Sequence, residues 1–206
     1  REWQVLSLDE LAEYVRLGKS VPEKAVVVTL DDGYQDNYRY AYPILREYRV
    51  PATVFLTTSY VGSRDVFWWD RIDYAIQHTS RANLRLNELG AYSVRSEAEK
   101  TLAVGRITEK LRKLPEARRG LLVEKVIDIC EAGAQPDLGS GLVLSWEECE
   151  EMKRSGIDIG SHTISHPMLT GLSLEQARYE MEQSKKQIEE KLGIEVRAFS
   201  YPFGDY

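Results

Sequence analysis

Residues 25–33 read Ala-Val-Val-Val-Thr-Leu-Asp-Asp-Gly, a short apolar run ending on two carboxylates and a glycine. A continuous apolar run suits a strand covered on both faces, as in a parallel sheet, better than the alternating pattern of a half-exposed strand. Ala52–Thr57, Ile157–Gly160 and Val196–Ser200 repeat the signature. Helical patterns stand between them, so the chain reads as β-α-β and its fold class as α/β.

Helix starts are the clearest local signals. Ser7 with Glu10, Ser145 with Glu148 and Ser173 with Gln176 have capping-box spacing, in which each partner satisfies an N–H that the first turn would leave orphaned. Gly193 is placed to end the last helix, and Pro43 should kink or restart the helix in 36–48. Glu182 and Lys186 stand in the favourable i,i+4 order, so the run Glu180–Lys191 reads as a solvated helix face. Between Val61 and Val143 the rhythm breaks. Residues 62–143 read as a mostly helical insertion between the second and third strands, with helices over 68–77, 97–113 and 115–130 and a small hairpin around Asn87–Gly90.

Composition excludes several classes. With 27 Lys+Arg against 33 Asp+Glu and no basic block, the acidic balance argues against a surface for nucleic acid or anionic membrane. No apolar run approaches the ~18 residues of a membrane helix. Two cysteines, Cys130 and Cys149, make neither a disulfide framework nor a zinc ribbon and read as buried hydrophobes. Neither oligomeric state nor compartment is readable.

Three groups carry chemistry, each at the end of an apolar strand. Asp31 and Asp32 would point to opposite faces of an extended strand, so only a sharp turn at Gly33 can bring both to one pocket. The alternative is a polar turn in which Asp caps a helix. His162 and His166, four apart in Ser-His-Thr-Ile-Ser-His-Pro, face one way if the segment makes a short turn, and Pro167 makes that turn loop-like. With Asp32 as third ligand, two nitrogens and one carboxylate leave a position open, as in catalytic zinc sites. Phe199-Ser200-Tyr201-Pro202-Phe203-Gly204 is a strand entering an aromatic loop that could wall a pocket.

Together, in this order, the three motifs resemble those of the NodB-type polysaccharide deacetylases, carbohydrate esterase family four. Thr29-Leu30-Asp31-Asp32-Gly33 resembles the first motif, His162-Thr163-Ile164-Ser165-His166 the second, and Phe199–Gly204 the third. The resemblance implies a distorted (β/α) TIM-like barrel spanning 1–206, incomplete at its C-terminus and interrupted by the 62–143 insertion. It implies Asp31 as general base and Asp32, His162 and His166 as ligands of a divalent metal, zinc by default with Co, Ni, Fe or Mn as alternatives. The backbone N–H of Phe203 would stabilise the oxyanion, Tyr201 and Pro202 would line the substrate groove, and Thr163 would brace the histidine loop.

The implied activity is metal-dependent hydrolysis of the N-acetyl group of an N-acetylated sugar or polysaccharide, through a metal-bound water activated by the Asp base. The resemblance alone points to the cell envelope or secretion. Two departures stand out. Ser200 occupies the place of an Arg that orients the base, with Arg197 nearby, and the histidine that serves as general acid is not met before Tyr206. The parent enzyme is therefore expected to deacetylate and this stretch to be weak or inactive, with a non-catalytic metal- or carbohydrate-binding module as the alternative.

Overall fold

The computed structural model describes residues 2–132 and 138–204. The chain forms two compact units, Arg1–Arg64 with Gly139–Tyr206, and Asp65–Leu138. In chain order the elements are β1 (Gln4–Val5), α1 (Leu8–Arg16), β2 (Ala25–Val26), β3 (Val28–Leu30), α2 (Tyr42–Tyr48), β4 (Ala52–Leu56), α3 (Trp68–Gln77), β5 (Asn83–Arg85), β6 (Ala91–Ser93), α4 (Glu97–Arg112), α5 (Glu116–Cys130), α6 (Trp146–Arg154), β7 (Asp158–Ser161) and α7 (Leu174–Leu192). None of these helices is long and apolar enough to cross a membrane.

In the first unit β3, β4 and β7 form a parallel sheet in that order. Ser161 extends it by a parallel bridge to Phe199. Every residue of β4 is buried, as befits the strand with a neighbour on each side, whereas β3 at the edge is only partly covered. The apolar run 25–30 is two strands, not one: β2 pairs with β1 in a separate two-stranded sheet, and Val27 separates it from β3. Val196–Ser200 supplies a bridge in place of the expected strand. The described residues of this unit therefore form open parallel sheets and no closed barrel, because closure needs two neighbours for each strand.

Local chemistry explains the helix ends. All three expected capping boxes form with both reciprocal hydrogen bonds. A fourth, Ser96 with Glu99, opens α4. Gly193 closes α7 at φ 61°, a left-handed conformation that glycine adopts without steric cost. Pro115 caps α5 from outside the helix, one position earlier than Pro usually takes. Residues Asn37–Ala41 wind as a π-helix, and α2 begins at Tyr42 with Pro43 in its first turn. Proline has no N–H to continue the ladder, so the helix restarts there.

The second unit has its own core. Ile72 and Ile76 of α3, Ile107 and Leu111 of α4, and Val123 and Val126 of α5 pack with Leu84 of the β5–β6 hairpin. Each unit also buries one thiol. Loss of solvent pushes Cys130 of the second unit up to about 11 and Cys149 of the first up to about 12. Neither should react with a disulfide reagent at pH 8 in the native protein. In rising urea, Cys130 labelling should report opening of the second unit and Cys149 labelling that of the first. Rapid labelling of either thiol without denaturant would contradict this core.

Candidate metal centre

The parallel order sets the C-terminal ends of β3, β4 and β7 along one edge, where open α/β sheets carry their ligands. Because β4 lies between them, β3 and β7 stand roughly 9–10 Å apart. A carboxylate leaving β3 must therefore be carried across. The turn that follows does this: the Gly33 N–H donates to the Asp31 carbonyl at 2.9 Å, closing a three-residue turn around Asp32. Asp32 has φ 69° and Gly33 φ 75°, which abolishes the extended geometry that would send the two carboxylates to opposite faces. A side chain on Gly33 would meet Leu56 at 2.9 Å. Backbone pairing with Leu142 and Leu144, through the Leu144 N–H to the Gly33 carbonyl and the Gln35 N–H to the Leu142 carbonyl, fixes the turn.

His162 leaves β7 with its N–H on the Leu56 carbonyl. The segment beyond it is a loop, with φ 70° at Thr163 and 59° at His166, so the histidines meet without a helical turn. Thr163 is fully buried. Its hydroxyl donates to the His162 carbonyl and accepts the His166 N–H at 3.0 Å. Its own carbonyl takes the Thr58 N–H at 3.1 Å. The intervening N–H groups of Ile164 and Ser165 go to Glu180 of α7. Glu180 therefore does not belong to a solvated face.

The ligand atoms of Asp32, His162 and His166 all lie within 4.8 Å of one another. Asp32 Oδ1 is 3.4 Å from His162 Nε2 and 3.1 Å from His166 Nε2, close to the roughly 3.3 Å edge of a tetrahedron of ligands around a small divalent ion. His162 is 2% exposed, and its Nδ1 donates to the Ser200 carbonyl at 2.8 Å. Burial, then the neighbouring His166, lowers its pKa against the pull of that carbonyl and of the Asp32 and Asp31 carboxylates. Burial thus favours the neutral ring, in which the Nδ1–H on the Ser200 carbonyl leaves the Nε2 lone pair facing Asp32. Asp32 Oδ1 is itself buried and accepts no hydrogen bond. A buried anionic oxygen facing a nitrogen lone pair is unfavourable unless a cation lies among them. The donor set fits a divalent ion held through both Nε2 atoms and one carboxylate oxygen, with Nδ1 fixing the tautomer.

The remaining expected residues border this cluster. Asp31 is exposed and accepts a long hydrogen bond, 3.4 Å, from the Ser200 hydroxyl. Arg197 is not its partner and instead pairs with Glu195 at 3.0 Å and Asp9 at 3.6 Å. Phe203 sits at φ 62° in a tight turn, its ring edge-on to His166 at 4.7 Å. Tyr201 is 44% exposed, whereas Pro202, expected beside it on the groove wall, is buried. A cavity of about 250 Å³ lined by Asp9, Thr53, Asp158 and Arg197 lies at the other end of the strands and includes neither Asp31 nor any of Asp32, His162 and His166. His78, the third histidine of the chain, stacks on Tyr74 within the second unit.

A family model described as polysaccharide deacetylase matches residues 18–206. The chain belongs to the polysaccharide deacetylase family. Among its relatives, the putative polysaccharide deacetylase YxkH of Bacillus subtilis is 25% identical over 99% of this chain and 46% of its own length. The poly-beta-1,6-N-acetyl-D-glucosamine N-deacetylase of Escherichia coli is 48% identical over 24% of this chain and 7% of its own length. The deacetylase PplD of Streptococcus pyogenes, solved in complex with acetate, shares the fold with a TM-score of 0.57 at 22% identity, over 99% of this chain and 57% of that one. The chain thus spans about half the length of these full-coverage relatives.

In this member of the family Thr163 joins both histidines, so Thr163→Val tests the brace directly. It leaves the buried His166 N–H without its acceptor, at a cost of about 1–3 kcal/mol. Urea unfolding of the metal-free protein should show that loss, and a difference below a few tenths of a kcal/mol would contradict the brace.

Proposed function

We propose that this chain carries the metal and base residues of a deacetylase that hydrolyses the N-acetyl group of an N-acetylated sugar or polysaccharide. The observation supporting it most is the convergence of Asp32, His162 and His166 on one point, with Asp31 beside them at the same strand ends. The family membership and the name of the E. coli relative, a poly-beta-1,6-N-acetyl-D-glucosamine N-deacetylase, support the choice of an amide on a glucosamine polymer. The parallel strands β3-β4-β7 with the Phe199 bridge read as an arc of the distorted barrel, and 62–143 as its helical insertion.

An amide is a poor electrophile and water a poor nucleophile, and both must be corrected. A divalent ion held by Asp32, His162 and His166, zinc by default, would polarise the acyl oxygen and raise the reactivity of nearby water. Asp31, with the Ser200 hydroxyl on Oδ2, takes the proton from the water that attacks the acetyl carbon, a contribution of about 10²–10⁴ in rate. The Phe203 N–H donates to the oxygen on which negative charge develops. The exposed ring of Tyr201 offers a face for the sugar, and buried Pro202 holds the turn behind it. The C–N bond then breaks, and the leaving amine takes a proton.

A non-catalytic metal- or sugar-binding module is the competing reading, favoured by the long Ser200–Asp31 contact and by His78 being engaged with Tyr74. Metal content by elemental analysis, with acetate release from β-1,6-linked N-acetylglucosamine oligomers, separates the two. The protein should bind about one equivalent of metal, and His162→Ala should lose it. Asp31→Asn should keep the metal and lower acetate release by about 10²–10⁴-fold. Metal without acetate, even in the full-length protein, would establish the binding module. No metal after reconstitution would overturn both readings.

A further inference from the structure

We infer that Glu180 of α7 is the positioning residue for the histidine loop, setting where the Nε2 atoms of His162 and His166 point. The inference rests on the metal-site reading above. Glu180 Oε2 accepts the Ile164 N–H at 2.8 Å and the Ser165 N–H at 3.0 Å, and Oε1 accepts the Ser165 hydroxyl at 2.8 Å. Three donors thus converge on one carboxylate, an acceptor-only group suited to them. The donors lie between the two histidines, in a loop whose flanking residues Thr163 and His166 both have left-handed backbone. Without Glu180 two consecutive N–H groups there lose their acceptor, and a loop held in a sparsely populated conformation loses part of what holds it.

The same helix grips the other side of His162. One turn along, buried Ser184 shares a 2.5 Å hydrogen bond with Ser161, the last residue of β7. His162 therefore stands between two anchor points, Ser161 before it and Ile164–Ser165 after it, both tied to α7 at i and i+4. A helix that only covered the sheet would need an apolar residue at each of these positions. The buried stripe of α7 instead runs Ser184, Ile188, Leu192, with Glu180 continuing it toward the loop. Glu182, two residues on, is exposed and belongs to the opposite face.

The test compares Glu180→Ala, Glu180→Gln and Glu182→Ala with wild type. Zinc affinity is read by competition with a chromophoric chelator, the cobalt(II) form by its visible absorption, and folding by thermal melts of the metal-free protein. Supporting groups behind a metal ligand typically contribute 10–100-fold in affinity, so Glu180→Ala should weaken zinc by about that factor and alter the cobalt spectrum. Glu180→Gln, which keeps an oxygen acceptor, should recover part of the affinity, and Glu182→Ala should match wild type. If Glu180→Ala does not fold, the folded Glu180→Gln decides the matter, with weakened zinc binding as the expected result. A folded Glu180 variant with wild-type affinity and cobalt spectrum overturns the inference and leaves the metal site standing. A wild type that binds no zinc overturns the metal site and this inference together.

Discussion

A buried carboxylate oxygen stands within 3.4 Å of an imidazole nitrogen on each of two histidines, a grouping that favours positive charge among its members. Most of the first unit is arranged to hold that uncomfortable grouping. The imidazole of His162 is kept neutral by burial and fixed in one tautomer by the Ser200 carbonyl. The carboxylate of Asp32 is carried across the end of β4 by a turn that only a short polar residue followed by glycine adopts readily. The sheet supplies the distance scale, and the loops at its end supply the approach.

The backbone records the cost of this arrangement. Seven described residues other than glycine have positive φ, and four of them, Asp32, Thr163, His166 and Phe203, lie in or against the centre. Of the other three, Arg49 and Glu131 end helices and Asn87 sits in the hairpin turn, where left-handed residues are ordinary. A β-branched residue such as Thr163 at φ 70° is an outlier. Each such position costs about 1–3 kcal/mol and persists only when its surroundings over-determine it. Around Thr163 they do: its hydroxyl, its carbonyl and the next two N–H groups are all committed.

What could be read from the sequence follows from which forces are local. Capping boxes act within four residues, so Ser7, Ser145 and Ser173 announced their helices, and the pairing of three short motifs at strand ends announced the centre. Strand continuity is a tertiary matter: 25–28 is uniformly apolar, yet the run splits between two sheets at Val27, because pairing partners decide where a strand ends. Glu180 was hidden for a similar reason. The donors it accepts from lie fifteen and sixteen residues away, and within its own helix it resembles any charged residue. The available signal was its phase, four residues before Ser184, eight before Ile188 and twelve before Leu192, which places a carboxylate on the inward stripe.

The most direct test of the account is anomalous diffraction at the zinc edge from crystals grown with one equivalent of zinc. The account predicts a single strong peak at about 2.0–2.2 Å from Asp32 Oδ1 and from Nε2 of both His162 and His166, with His162 Nδ1 still on the Ser200 carbonyl. No peak there, or coordination of His162 through Nδ1, would contradict it.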